Sequence, residues 1–576
     1  MTVTIQEAEE RSRASTPILP RLRRRLGLML SRFRPPPPLP PAVQKYVRFN
    51  EEQWGPPPVS ENEAVFLVGI FRWFPCMPGY AHVANHFARK ASASIEWYNF
   101  YGRTDREVEA IYTSFGARAG LSLSLIRIDE ERAQKISSAI YSALKTKADI
   151  LEITVEQLKI GDLIYDSYMR TKPHPTVDLR DPKLAEMILQ GVRITLACRE
   201  YFSRRKVVGV IPDHFVYIYS GIITRCALLS GVPVYQVLYC ANFFAFAVSC
   251  APGSRNLPGS SPYPFYRQMF GRLSPAEREQ AREKGRCVIE RRLAGYADGV
   301  LSIMGAAHGS PAVQSAYGGG NGKPALQDTG RPRILILLHD FCDGVHNYRD
   351  FLFPDFYEWI HFLLKHAVGT EFDWYVKPHP NAARRGVLAE VNGSVLDELK
   401  ASYPKIHFLE PTTSSRQIIR EGVKSMFTGY GTAGHEFAYL GVPVVNAGDN
   451  PHIAYDFNLH PRTLEEYAAC IAHADSLQVD IRKEDIEEYV YMNYIYCEEE
   501  LSCGANPMSA EFLASEEFKS KRSRPETLEM LMHRFSAKEK REFADYLDHI
   551  PHLAEPLSVE VRLRKTHQAQ AAILTT

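Results

Sequence analysis

Lys377 and His379 stand either side of Pro378 in the stretch FDWYVKPHPN, and Pro380 closes the corner. Residues 372–376 are an apolar and aromatic run stopped by those prolines, which predicts a buried strand with Lys377 and His379 at its carboxyl end. A cation and an imidazole held in a proline-restricted corner suit charge that develops on a departing phosphate. About fifty residues later, FTGYGTAGHEFAYLGVPVV predicts a second short strand over 425–428, a tight turn at Gly429, Tyr430 and Gly431, and a helix capped by Thr432. Gly441 ends that helix before a further strand over 442–445. A glycine turn feeding a helix start offers backbone N–H groups and the positive end of the helix dipole to phosphate. Glu436, one turn on and on the Thr432 face, is placed to reach a ribose hydroxyl. Ser414 or Ser415 caps another helix between the two stretches and offers the nucleotide a second set of donors. In open α/β sheets such strand ends and helix starts line one crevice, so the expected ligand is a diphosphate or a nucleotide monophosphate.

Two more stretches carry acids. Residues 206–211 form a mostly β-branched strand that runs into Pro212, Asp213 and His214, with a helix of small and apolar residues after it. Strand, acid, helix sets a carboxylate on the crevice, where Asp213, assisted or replaced by His214, is placed to take a proton from a hydroxyl. In GDLIYDSYMR (161–170) Asp162 and Asp166 share a face if the segment is a helix; Asp162 is a second candidate base and Asp166 reads as a solvated carboxylate. His339, Asp340, Asp343 and His346 crowd one loop without an established ligand spacing, so no metal is assigned there.

The elements that position these residues need two domains, since 576 residues exceed one core. A formal charge of +1 gives no reason to expect nucleic acid, and ten cysteines without a Cys-x-x-Cys pair indicate neither zinc nor a disulfide framework. No run of eighteen apolar residues occurs. Residues 20–34 set Leu22, Leu26, Met29 and Phe33 at helical spacing among arginines, a pattern that fits an interfacial helix on anionic lipid or a disordered basic leader. The proline run 35–41 predicts an extended spacer. The expected divisions are a basic, proline-rich segment at 1–60, a first domain at 61–317, a turn-rich linker at 318–330, a second domain at 331–478 and a helical extension at 479–576.

KPHP (Lys377 to Pro380) and GTAGHEFAYLGVPVV (Gly431 to Val445) resemble the C-terminal, donor-binding half of GT-B glycosyltransferases. More narrowly, they resemble the bacterial capsule-polysaccharide biosynthesis group that includes Kdo transferases, with a His-Pro motif similar to that of bacterial sialyltransferases. Strong similarity spans about 330–460, and weaker similarity spans 64–245. The resemblance implies an α/β GT-B fold: two Rossmann-like domains facing across a cleft, with the C-terminal helical extension added. It implies an inverting, metal-independent transferase with no cofactor beyond a nucleotide-sugar co-substrate, CMP-linked Kdo or sialic acid first, and a glycan or glycolipid acceptor. Apart from the resemblance, the cysteine pattern fits a reducing cytoplasm, and the stripe at 20–34 fits a peripheral position on the membrane's inner face. Polyol-phosphate transferases using CDP-glycerol share the His-Pro corner, and nucleotide-sugar 2-epimerases share the fold. A non-catalytic GT-B scaffold of capsule assembly is the further alternative.

Overall fold

The computed structural model describes residues 38–60, 63–102, 105–171, 174–237, 245–248, 263, 266–294, 324–347, 350–379, 387–431, 433–500, 515–521, 524–532 and 537–549. The first domain holds β1 (Ala64–Gly69), β2 (Ser94–Tyr98), β3 (Ala117–Leu121), a small hairpin of β4 (Thr154–Val155) and β5 (Leu158–Lys159), then β6 (Lys206–Ile211), β7 (Val234–Val237) and β8 (Ala245–Val248). Its sheet runs β3-β2-β1-β6-β7-β8, parallel except at β8. The second domain holds β9 (Arg333–Leu337), β10 (Asp373–Lys377), β11 (His407–Phe408), β12 (Val423–Thr428) and β13 (Val444–Asn446) in the order β11-β10-β9-β12-β13, parallel throughout. With the hairpin set aside, both sheets follow the Rossmann order, reversing between β1 and β6 and between β9 and β12. All six residues of β1 are buried. Helices covering both faces of a parallel sheet demand such unbroken apolar strands.

The structure departs from the sequence reading in the first domain. β3 lies at 117–121 beside β2, whose sequence SIEWY gave no strand signal. Glu96 masks it: this carboxylate sits inside the sheet, 3% exposed, because Arg118 and Arg205 reach it at 3.0 and 2.9 Å and the Tyr201 hydroxyl donates at 2.6 Å. Part of the expected N-terminal segment is also domain structure. Pro41–Trp54 is a helix with proline in its first turn, and it buries Val43 and Tyr46 against the first domain and the helix Glu526–Leu531. The stripe at 20–34 and most of the proline run lie outside the described residues.

The C-terminal helices cross back as the GT-B reading anticipates. Lys483–Tyr491 packs on the first-domain helix Pro275–Leu293, which starts at a capping box of Ser274 and Glu277. Gly285 allows the approach, since a Cβ there would lie 2.0 Å from the Glu487 carbonyl oxygen. Tyr439 of the second domain donates its hydroxyl to Glu487 at 3.3 Å, so this helix ties both halves. The far end of the expected linker already belongs to the second domain: Ala325 and Leu326 donate their N–H groups to Glu421, and Gln327 donates to the Tyr375 hydroxyl. Among the described residues no helix is long and apolar enough to cross a membrane.

Candidate active site

Lys377 is the last residue of β10, at the carboxyl edge of the second sheet and next to the strand-order reversal. It is 5% exposed, and its ammonium makes no hydrogen bond or ion pair among the described residues. Burial lowers its pKa to about 8. His379 follows two residues on; burial lowers its pKa, Asp340 pulls it back up and Lys377 lowers it further. Strand register explains the grouping, because Lys377 pairs with Leu337 and the Leu338 N–H bonds the Lys377 carbonyl at 3.1 Å. The residues after β9, His339 and Asp340, therefore emerge beside those after β10.

The glycine turn is less open than its sequence suggests. The Tyr430 N–H donates to His339 Nε2 at 3.2 Å, and the Gly431 N–H donates to Thr428 Oγ1 at 3.3 Å. Burial holds His339 neutral, with a pKa lowered to about 3, which leaves Nε2 as the acceptor. Two turn donors expected at a phosphate are thus spent inside the protein. The Gly429 backbone packs against Phe356 and the His339 ring. Helix Ala433–Tyr439 begins where expected; Thr432 and Pro380 lie outside the described residues. Glu436 does not face a crevice for ribose: it is 3% exposed and pairs at 2.7 Å with Arg292, which is 4% exposed and comes from the first domain. A carboxylate so committed keeps a buried guanidinium neutralised. Ser414 acts as a helix cap, accepting from the Gln417 N–H at 3.3 Å, and Ser415 is buried in the first turn.

In the first domain, Asp213 stands just beyond β6, at the reversal point of the sheet. Burial raises its pKa, against the lowering effect of hydrogen bonds from Ser220, Tyr101 and Tyr98. Tyr98 donates to Oδ1 and Tyr101 to Oδ2, each at 3.3 Å. These two tyrosines went unmarked in the sequence because they belong to the unread β2 and the loop after it. His214 turns back on its own loop, its Nδ1 accepting from the Phe215 and Val216 N–H groups at 3.0 and 3.2 Å. Burial lowers its pKa to about 4, and with Nδ1 engaged the remaining ring nitrogen is a donor. The loop ends at Tyr217, whose φ of 67° and ψ of 152° occupy a region essentially reserved for glycine, at a cost of about 1–3 kcal/mol. Ser167 Oγ accepts from the next amide, Ile218 N–H, at 2.9 Å.

This loop meets the second domain. The Tyr217 hydroxyl and a Val216 methyl lie about 3.7 Å from where a Cβ on Gly344 would sit. Asp166 makes the firmest contact and overturns its reading as a solvated carboxylate: it is 1% exposed. It accepts from His346 Nδ1 at 2.7 Å and from the His346 and Val345 N–H groups at 3.1 and 3.3 Å. Burial disfavours a charged His346, but Asp166 outweighs it and raises the pKa. The sequence offered no signal for this pairing, which spans 180 residues. Asp162 takes a different role from its neighbour. Arg225 grips both its oxygens, at 2.6 and 2.5 Å, and both side chains are buried, so this candidate base is an ion pair inside the first domain. Of the four crowded residues 339–346, His346 is thus committed to Asp166 and His339 to the glycine turn. Asp340 is buried and accepts from the Cys342 N–H at 3.2 Å, while Asp343 is exposed. Asp213 thus lies just beyond a strand end at the reversal point of the first sheet, and Lys377 and His379 lie at a strand end beside that of the second.

No protein-family model matches this sequence, and no curated protein matches it. Solved structures with a similar course include the UDP-GlcNAc 2-epimerase of Neisseria meningitidis bound to UDP-GlcNAc. It is 11% identical, with 75% of this chain and 98% of that one covered and a TM-score of 0.21. The UDP-GlcNAc 2-epimerase of Methanocaldococcus jannaschii in complex with UDP-GlcNAc and UDP is 10% identical, covering 74% and 98% at a TM-score of 0.23. A variant O-GlcNAc transferase of Thermobaculum terrenum is 9% identical, covering 88% and 74% at 0.19. At such scores the likeness carries no argument. The two Rossmann strand orders and the C-terminal helix that returns to the first domain define the chain as a GT-B-fold protein.

Proposed function

We propose that the protein is a glycosyltransferase that moves a sugar from a nucleotide-activated donor to a glycan or glycolipid acceptor. The observation that carries this reading is Lys377: a lysine only 5% exposed, without a counter-ion among the described residues, at the carboxyl edge of a Rossmann sheet. An uncompensated buried cation is costly, and an anionic ligand offsets that cost. In the reaction the acceptor hydroxyl gives its proton to Asp213, its oxygen attacks the anomeric carbon from the face opposite the leaving group, and the bond to the phosphate oxygen breaks. Lys377 and His379 take up the charge that grows on the departing phosphate. The raised pKa of Asp213 suits a base working near neutral pH. The resemblance of KPHP and its partner motif to Kdo and sialic acid transferases supports a CMP-linked donor, and the basic stripe at 20–34 supports attachment to an anionic membrane face. Because only the attacked atom changes, CDP-glycerol with attack at phosphorus is the second reading. Incubation with CMP-, CDP-, UDP- and dTDP-linked donors, with products weighed by mass spectrometry, decides. A glycosylated acceptor with free CMP is expected; a glycerol-phosphate adduct favours the second reading, and epimerised donor without transfer rejects both.

A further inference from the structure

Among the aromatic side chains grouped around Asp213, Tyr98 and Tyr80 are each 2% exposed, whereas Tyr101 is 54% exposed. Its hydroxyl end is nonetheless fixed. It donates to Asp213 Oδ2 at 3.3 Å and lies 3.2 Å from Ser220 Oγ. Its backbone is fixed as well, because the Tyr101 N–H donates to Asn99 Oδ1 at 2.8 Å while Asn99 Nδ2 donates to the Gly102 carbonyl at 2.6 Å. On one side the ring leans on Tyr219, with centroids 4.6 Å apart and planes inclined by 34°. The result is an aromatic ring immobilised at both ends, with its surface in the open, hydrogen-bonded to the one carboxylate at the reversal point of the first sheet. A pyranose ring presents an apolar C–H face and a rim of hydroxyls. Stacking the first on an aromatic surface buries apolar area and leaves the second free to bond.

We propose that Tyr101, braced by Tyr219, is the platform on which the pyranose ring of the acceptor stacks, so that one rim hydroxyl reaches Asp213. This assignment rests on the glycosyltransferase reading and names the acceptor side of the same site. The tethered hydroxyl gives Tyr101 two separable roles, because the ring supplies the surface and the hydroxyl supports the carboxylate.

Two substitutions separate them. Tyr101→Leu removes the platform and is expected to raise the acceptor KM by about tenfold or more at saturating donor. Tyr101→Phe keeps the platform, so the acceptor KM stays within about twofold. It removes a hydrogen bond that holds the Asp213 pKa down, so the rising limb of the kcat pH profile moves to higher pH. A second measurement needs no turnover: saturation-transfer NMR on the full chain with methyl pyranosides and short pyranose oligosaccharides. Ring-proton saturation is expected with the wild type and with Tyr101→Phe and is lost with Tyr101→Leu. Undiminished saturation and an unchanged acceptor KM in Tyr101→Leu overturn the platform, as does a wild type with no pyranose saturation. Pyranose contact at Tyr101 in a protein that transfers no sugar from any donor would instead reject the glycosyltransferase reading and leave the subsite standing.

Discussion

His379→Ala is expected to abolish transfer while the melting temperature barely moves. The residue follows a buried strand end by two positions, so its backbone is fixed by β10 and Pro378 rather than by its own side chain. Its ring sits in the field of Lys377 and Asp340, which push its pKa in opposite directions while burial lowers it. In the proposed reaction this group meets the leaving phosphate as its charge grows, and losing such a donor costs about 2.7–4 kcal/mol, or roughly 10²–10³ in kcat. Lys377 remains, so nucleotide binding weakens only moderately. Steady-state rates beside thermal unfolding curves give the answer: a variant that unfolds early yet turns over normally when folded makes His379 a structural residue and removes half of the phosphate clamp.

Asp213→Asn is expected to lower turnover by roughly 10²–10⁴ while donor affinity stays near wild type, because a base acts on the acceptor proton and contributes little to binding the nucleotide. Stability gives a second sign. The folded-state pKa of Asp213 is raised by burial, so its contribution to stability is present at low pH and is lost as pH rises through that raised value. Removing the ionisable group abolishes the loss, and Asp213→Asn melts at or above the wild-type temperature at pH 8. Asp162→Asn behaves oppositely. It strands a buried Arg225, and breaking such a pair costs about 3–5 kcal/mol, so this variant loses stability first and activity only with it. Should Asp162→Asn be folded and dead while Asp213→Asn is active, the base is Asp162.

Both candidate bases, Asp213 and Asp162, were visible in the sequence, but the Arg225 pair that occupies Asp162 was not. Strands β1, β6, β9 and β10 carry apolar runs (64–68, 207–211, 334–337 and 374–376) ended by glycine, proline or polar residues, and a parallel sheet buried on both faces requires such runs. That pattern is local, so the placing of Lys377, His379 and Asp213 at strand ends could be read directly. β2 could not, because Glu96 breaks its apolar pattern and is made tolerable by Arg118 from β3 and by Tyr201 and Arg205 from the end of the helix Pro182–Arg204. With β2 went Tyr98 and Tyr101, more than a hundred residues from the carboxylate they bond. Asp162 and Asp166 look alike on one helix face, yet one is closed by Arg225 and the other by the second domain. Glu436 and the glycine turn show the same limit: the local motif was right about turn and helix, while Arg292, His339 and Thr428 took the groups the motif left open.

Lys377 offers the most direct test of the donor site. Its pKa of about 8 means that part of the population is uncharged near that pH, and an arriving phosphate restores the ammonium. Nucleotide binding at pH 8 must therefore take up protons. The opposite sign holds for the unliganded protein, whose stability rises with pH from about 8 towards the ordinary lysine value, because only the unfolded chain still binds that proton. Calorimetric titration of CMP, CDP, UMP and UDP into the full chain, repeated in buffers of different ionisation enthalpy, measures the uptake. CMP is expected to bind tightest, with fractional proton uptake at pH 8, affinity falling as pH rises further, and the uptake gone in Lys377→Met. Absence of binding by all four nucleotides, or proton uptake that survives in Lys377→Met, would contradict the placing of the donor phosphate at this lysine.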